Sequence, residues 1–199
     1  MKRPLGSTQD FPTITHSPSR FFLQKLCNPD IRLKISFPPT GHARILWAMR
    51  IRRWGRERAV QFLFQHELNP STDLEKALDI FWDSQRSAVI AEEKAPARWG
   101  QEVELPPPTD DEAAIREFGE SLIRGALEQW EELDATIIEH AKNWDIFRIA
   151  NLDRNVLRLA IYEMLHRQDI PPVVSINEAI DIAKKFSTED SGRFVNGIL

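Results

Sequence analysis

The feature that most limits how this chain can fold is the spacing of its apolar residues after position 50. They recur at the three-and-four interval of an α-helix and nowhere alternate convincingly as a strand does. Ala59, Val60, Leu63 and Phe64 set a first stripe, so a helix is expected over about 51–68, stopped at Asn69-Pro70 where proline forbids continuation. Ser71-Thr72-Asp73 opens a second helix with Leu74, Leu78 and Phe81 on one face, fading around Glu92-Glu93-Lys94. Thr109 with Glu112 three residues on is a capping box for a third, whose stripe is Ile115, Phe118, Leu122 and Ala126.

A fourth helix carries Leu133, Ile137, Ile138 and Ala141, with the break placed only near 130. Asp153 is expected to cap a fifth, in which Val156, Leu157, Leu159, Ala160 and Leu165 are apolar on more than one side, as suits a central position. After Pro171-Pro172, Ser175 and Glu178 read as a second capping box, with Val174 stapled to Ala179. That helix turns Ala179, Ile182, Ala183 and Phe186 inward and ends on Lys184-Lys185, favourable at the negative end of the dipole. Arg193–Leu199 is a short last segment. The fold class is all-α.

Two stretches break the pattern. Residues 1–48 hold six of the 13 prolines and short apolar scraps without sustained period, and read as an extension with no core of its own. Met49 follows directly, so the functional chain is expected to begin there, the extension reflecting an upstream start; the competing reading is a basic tail that adds nonspecific RNA affinity. Residues 95–108, with their Pro, Gly and triple proline, read as a loop insertion within a 49–199 domain.

Composition narrows the function. The net charge of −4 hides an asymmetry: residues 1–48 carry seven Lys/Arg against two Asp/Glu, and residues 49–199 carry 19 against 28. A cationic cluster inside the second part therefore stands out. The lone Cys27 has no internal disulfide partner, no Cys and His pair has zinc-ligand spacing, and no apolar run reaches the ~18 residues of a membrane span. With no secretory signal pattern, a reducing cytoplasmic setting is expected. Glu163, Glu178, Asp181, His166 and His140 are the candidate acids and bases, but no spacing among them demands a shared site, and Tyr162 and Glu163 read as structural, Glu163 satisfying a buried donor. Phosphate-cradling glycine loops and nucleophile elbows are absent from the sequence, so neither enzyme activity nor a cofactor or metal is expected.

The chemistry-bearing element is MRIRRWGRERAVQFLFQHEL, Met49 to Leu68, with five arginines between 50 and 58. Arg52 and Arg56 lie one turn apart with Arg53 beside them. Cations at a helix N-terminus oppose the macrodipole by roughly 0.3–1 kcal/mol each, which points to an external anion, and guanidinium forks suit phosphate. Trp54 among the arginines adds a stacking surface for single-stranded RNA, or else packs on the second helix; the role of Trp47 stays open. In the C-terminal FVNGIL, Gly197 reads as a close-packing position, and Thr188-Glu189-Asp190-Ser191 either caps the last helix or meets a ligand.

These residues form an ordered set. RRWGRERAVQFLFQHEL, then WDIFRIANLDRNVLRLAIYEMLHRQDIPPVVSINEAIDIAKKFSTEDSGRFVNGIL, resembles the NusB family of transcription antitermination factors; the middle, 70–130, agrees in helical pattern only. The resemblance implies two small packed helical bundles of about seven helices. It also implies binding of the boxA sequence of ribosomal RNA leaders together with the small-subunit ribosomal protein NusE, within the RNA polymerase antitermination complex. Carried over by position, Arg52, Arg53, Arg56, Gln61 and Phe64, with Lys185, Asp190 and Phe194, face the RNA, and Trp54 joins them from its own surroundings. Trp54 and Gly55 stand where relatives often have arginine and alanine, Phe64 where they often have tyrosine, and relatives usually run on past the position of Leu199. A homodimer covering the arginine face is a further partner expectation. The alternatives are a protein-interaction scaffold whose arginines meet an acidic partner, and an RNA-binding appendage like the N-terminal part of ribosomal RNA cytosine methyltransferases, which needs an α/β cofactor domain beyond residue 199.

Overall fold

A computed structural model describes residues 42–93, 106–142 and 144–199, which form seven α-helices and one 3-10 turn, with no strand among the described residues. The helices are α1 His42–Leu68, α2 Leu74–Glu93, α3 Asp110–Glu128, α4 Trp130–His140, α5 Asn151–His166, α6 Pro172–Phe186 and α7 Glu189–Ile198, with the 3-10 turn at Ile146–Arg148. Of the two irregular stretches, residues 1–41 of the extension and 95–105 of the insertion lie outside the described residues.

α1 packs on α3 and α5, and α5 in turn carries α3, α4, α6 and α7. The result is an N-terminal bundle of α1–α3 and a C-terminal one of α4–α7, joined through α1 and α5. Leu63, Val60, Leu122, Ile123, Leu133, Ile137 and Leu157 are fully buried. Each such side chain contributes about 1.5–3 kcal/mol by leaving water. α1 and α3 cross at a pair of glycines: a Cβ on Gly55 would lie 2.6 Å from Phe118 Cδ1, and one on Gly119 would lie 3.1 Å from the Gly55 carbonyl oxygen. Alanine at position 55 would collide with the Phe118 ring, so Gly55 permits this close crossing.

Several local expectations shift. α1 starts at His42, about nine residues before the expected point, because Ala43, Leu46, Ala48 and Met49 are good helix formers and Trp47 Nε1 donates to Asp111 Oδ1 at 2.8 Å, tying the added turns to α3. Met49 therefore lies inside a helix. The Thr109 capping box is present with both reciprocal bonds, and Asp73 Oδ1 accepts from Lys76 N at 3.0 Å at the start of α2. Asp153 does not cap α5, whose N-cap is Ala150; its carboxylate instead accepts from Ser191 Oγ at 2.9 Å. Ser175 does not cap α6 either: Pro172 opens that helix at its first position, where its missing N–H costs nothing. Ile138 and Leu165 face solvent, Val174 is exposed rather than stapled, and a Cβ on Gly197 would meet open space, so that glycine is not a packing position.

Candidate nucleic-acid interface

The arginine cluster occupies the middle turns of α1, not its N-terminus. The dipole penalty fades within the first turn, so it does not account for five cations here. Three of them, Arg52, Arg53 and Arg56, meet carboxylates of the C-terminal bundle. Arg53, Arg56 and Glu57 share one face of α1, and Glu178, Asp181 and Lys185 share one face of α6. Arg53 Nη2 bonds Asp181 while its Nε lies 3.6 Å from Glu178, and Lys185 Nζ donates to both oxygens of Glu57 at 2.9 Å. Partial burial works against the charge on Arg53, but Glu178, Asp181 and Glu57 outweigh it and raise its pKa above the ordinary value. Burial pushes the Glu178 carboxyl upward, against the pull of Arg53 and Arg56.

Arg56 is corrected outright as a surface contact. Its side chain is 5% exposed, its Nε donates to Glu163 Oε1 at 2.7 Å, and the other Glu163 oxygen accepts from Ser175 Oγ at 2.7 Å. Glu163 thus fills the structural role its helix position suggested. Gln61 is buried too, accepting from Arg58 Nη1 at 2.9 Å, and Phe64 lies in the core, so neither side chain stands at the surface. Arg52 remains at the surface, 44% exposed, with Nη2 at 3.4 Å from Asp169. Asp169 is also held by Arg167 Nε at 2.9 Å, and the Arg167 hydrogen bond, opposed by slight burial, lowers its pKa. The Phe118 ring lies beneath three guanidinium groups, those of Arg52, Arg56 and Arg167 at 5.4–5.7 Å. Trp54 is half-buried against the core, with the Arg50 guanidinium 4.7 Å from its ring centroid. The expectation of one open row of arginines is therefore corrected: Arg52 and Arg53 stay reachable, each tied to a carboxylate, and Arg56 belongs to the interior.

A second polar cluster closes the other end of α1. Glu67 accepts from Arg154 at 2.7 Å, Arg158 at 3.0 Å and Asn155 at 2.8 Å, and Arg158 also grips Asp134 and stacks 3.8 Å from the Trp130 ring centroid. Burial would raise the Glu67 pKa, but Arg158 and Arg154 outweigh it and hold it below the ordinary range. This cluster joins α1, α4 and α5.

The open cationic feature lies at α7. A cleft of about 250 Å³ is walled by His140, Lys142, Trp144, Arg193, Phe194 and Gly197, without a carboxylate among its described lining. Trp144 is 54% exposed and meets Phe194 edge-on at 5.3 Å between centroids. Arg193 bonds Asp190 Oδ1 at 3.1 Å, one turn back on the same helix, and both are strongly exposed. Thr188 caps α7 by accepting from Ser191 N at 3.1 Å, so the polar turn does act as a cap. Of the expected residues, Phe194 and Asp190 therefore lie at this cleft or its edge, and Lys185 sits with the α1 cluster. Lys142, Trp144 and Arg193 escaped the sequence reading. Their only signal was aromatic and basic residues at two places 50 residues apart, which no periodicity connects.

A separate cavity of about 300 Å³, lined by Trp82, Arg86, Pro108 and Ile115 among others, shares no lining residue with the cleft. No group of His, Cys, Asp and Glu among the described residues is arranged to hold a metal ion, and no described helix is long and apolar enough to cross a membrane.

Comparison with known proteins fits this architecture. The NusB family profile matches residues 54–199. A transcription antitermination protein NusB of Methylacidiphilum infernorum is 40% identical over 148 residues, covering 74% of this chain and 87% of the relative. That of Myxococcus xanthus is 40% identical over 151 residues, 76% of this chain and 93% of the relative. Among solved structures, T. maritima NusB superposes with a TM-score of 0.53 at 35% identity, over 74% of this chain and 86% of that one. A crystal structure of the antitermination factors NusB and NusE in complex with dsRNA gives 0.53 at 23% identity, over 75% and 93%, and supports the fold alone. These relatives are named as antitermination factors, not as enzymes. The family profile spans the helical body from the middle of α1 to the end of α7, and the chain belongs to the NusB family.

Proposed function

We propose that this protein is a transcription antitermination factor that binds boxA-type single-stranded RNA of ribosomal RNA leaders together with the ribosomal protein NusE, in the cytoplasm and within the RNA polymerase antitermination complex. The observation that carries the RNA reading is the α7 cleft, where Lys142 and Arg193 flank the aromatic pair Trp144 and Phe194 without an opposing carboxylate in the described lining. Cations track a phosphate backbone while aromatic faces stack bases, and stacking is worth about 1–3 kcal/mol per base. Arg52, Arg53 and Trp54 on α1 supply a second, partly neutralised stretch, with Lys185 at its edge and Asp190 at the rim of the cleft. In domain terms the RNA-binding unit is the helical body, set at 49–199 on sequence and extended by α1 to His42, with an N-terminal extension before it and an insertion near 95–108.

NusE, named with NusB in one of the matched complexes, is the partner this reading requires. The test is fluorescence anisotropy with a labelled boxA-like single strand, a scrambled strand and an RNA duplex, each with and without NusE. Preference for the boxA strand that tightens when NusE is added supports the reading. Equal binding of all three RNAs, or none, overturns it.

A further inference from the structure

The two reachable arginines of α1 differ from the buried Arg56 in the kind of carboxylate that holds them. Arg56 is held by Glu163, whose side chain is nearly inaccessible. Arg52 and Arg53 are held by Asp169 and Asp181, which are themselves 46% and 53% exposed. An exposed pair is worth only ~0.2–1 kcal/mol, so an incoming phosphate can displace such a carboxylate at little cost. Release is cheap for a second reason at Asp169, because Arg167 keeps its 2.9 Å bond to that carboxylate when Arg52 departs. At Arg53 the Nε/Nη2 edge of the fork is engaged, Nη2 on Asp181 and Nε toward Glu178, so a bidentate phosphate contact through that edge requires Asp181 to leave.

We propose that Asp169 and Asp181 are competing anions that mask Arg52 and Arg53 in the free protein and yield to the phosphates of a bound RNA strand. This inference rests on the RNA-binding reading above. The mask lowers affinity for any polyanion that reaches α1 alone. A strand already seated elsewhere on the molecule meets the masked arginines at high local concentration and displaces the aspartates. Asp169 and Asp181 thus set specificity by opposing weak, nonspecific association.

The test is a double-mutant cycle on RNA affinity, measured with a labelled single-stranded RNA at fixed salt. Asp181→Asn is compared in the wild-type and Arg53→Ala backgrounds, and Asp169→Asn in the wild-type and Arg52→Ala backgrounds. Asp79→Asn, an exposed aspartate paired with Arg116, is the matched control for a change of net charge. The expected result is a gain of roughly two- to fivefold in affinity for each aspartate replacement, the fold-change equivalent of one exposed pair, that vanishes when its arginine is absent and exceeds the control. If wild type binds RNA but the replacements match the control, or their gains persist without the arginines, the masking is refuted and the RNA reading stands. If neither wild type nor any replacement binds RNA, both fall. Circular dichroism of each variant confirms retained helicity, and the two independent cycles guard against one variant that misfolds.

Discussion

The α1 arginine face and the α7 cleft carry similar side chains but differ in what surrounds them. On α1, Arg52, Arg53 and Arg56 each meet a carboxylate of the same molecule, and the deepest pair, Arg56 with Glu163, is shut inside the junction of the two bundles. At α7, Arg193 is tied only to the strongly exposed Asp190, and Lys142 stands with Trp144 and Phe194 around a cleft whose described walls bear no carboxylate. The denser run of positive charge in the chain is thus the more neutralised in space. Charge density along a sequence measures how many cations an element holds, while the partners brought by the fold decide how many are left for a ligand.

The sharpest way to break this comparison is at Arg56. Arg56→Ala would strand Glu163 as a buried, uncompensated carboxylate, and loss of one partner of such a pair costs about 3–5 kcal/mol. Urea denaturation should show that loss; an Arg56→Ala protein of normal stability that fails to bind RNA would return Arg56 to the interface. Next in size is the cleft. Replacing both Trp144 and Phe194 with Ala should weaken single-stranded RNA binding about tenfold or more, on the scale of one to two stacked bases, with helicity preserved. Anisotropy and circular dichroism on the same samples check both halves of that statement.

A smaller effect separates the cations. Arg193→Ala should reduce the slope of log affinity against log salt by about 0.7, the value for one phosphate contact on a single strand, and Arg56→Lys should leave the slope unchanged. The smallest concerns the support beneath α7. Burial raises the Asp153 pKa, against hydrogen bonds from Ser191 and Ser187, above its ordinary 3.8. The folded state therefore holds that proton more tightly than the unfolded chain. Its contribution to stability is complete below the unfolded pKa, declines as pH rises from there through the folded pKa, and is level beyond. Stability of wild type relative to Asp153→Asn, followed by thermal melts across that window, should fall with rising pH; a rise would show that the carboxylate is held as an anion.

Much of the fold could be read from the chain because helical periodicity is a local property. The inward stripes of α3 and α6 fall where Ile115, Leu122, Ala126, Ile182 and Phe186 put them, and Thr109 caps as its spacing requires. Positions set by distant partners were less legible. Ser175 has the local pattern of a cap but serves the Glu163 carboxylate of α5, and Asp153 gives up a capping role for Ser191 of α7. The site shows the same division. The arginine cluster is obvious in sequence, yet Glu163, Asp169, Glu178 and Asp181 lie more than 100 residues further on, and nothing local reveals that they neutralise it. The cleft is the converse case, because Trp144 becomes a wall only when α7 brings Phe194 and Arg193 beside it.

The central claim is that RNA is gripped by the α7 cleft and the outer arginines of α1, while the inner face of α1 only holds the bundles together. Photo-crosslinking of a 4-thiouridine-labelled boxA-like strand to the full chain in the presence of NusE, mapped by mass spectrometry, addresses it directly. Crosslinks are expected at Trp144 and Phe194 and around Arg52–Trp54, and none at Gln61 or Phe64. Crosslinks concentrated at Gln61 and Phe64, with the cleft unmarked, would contradict it.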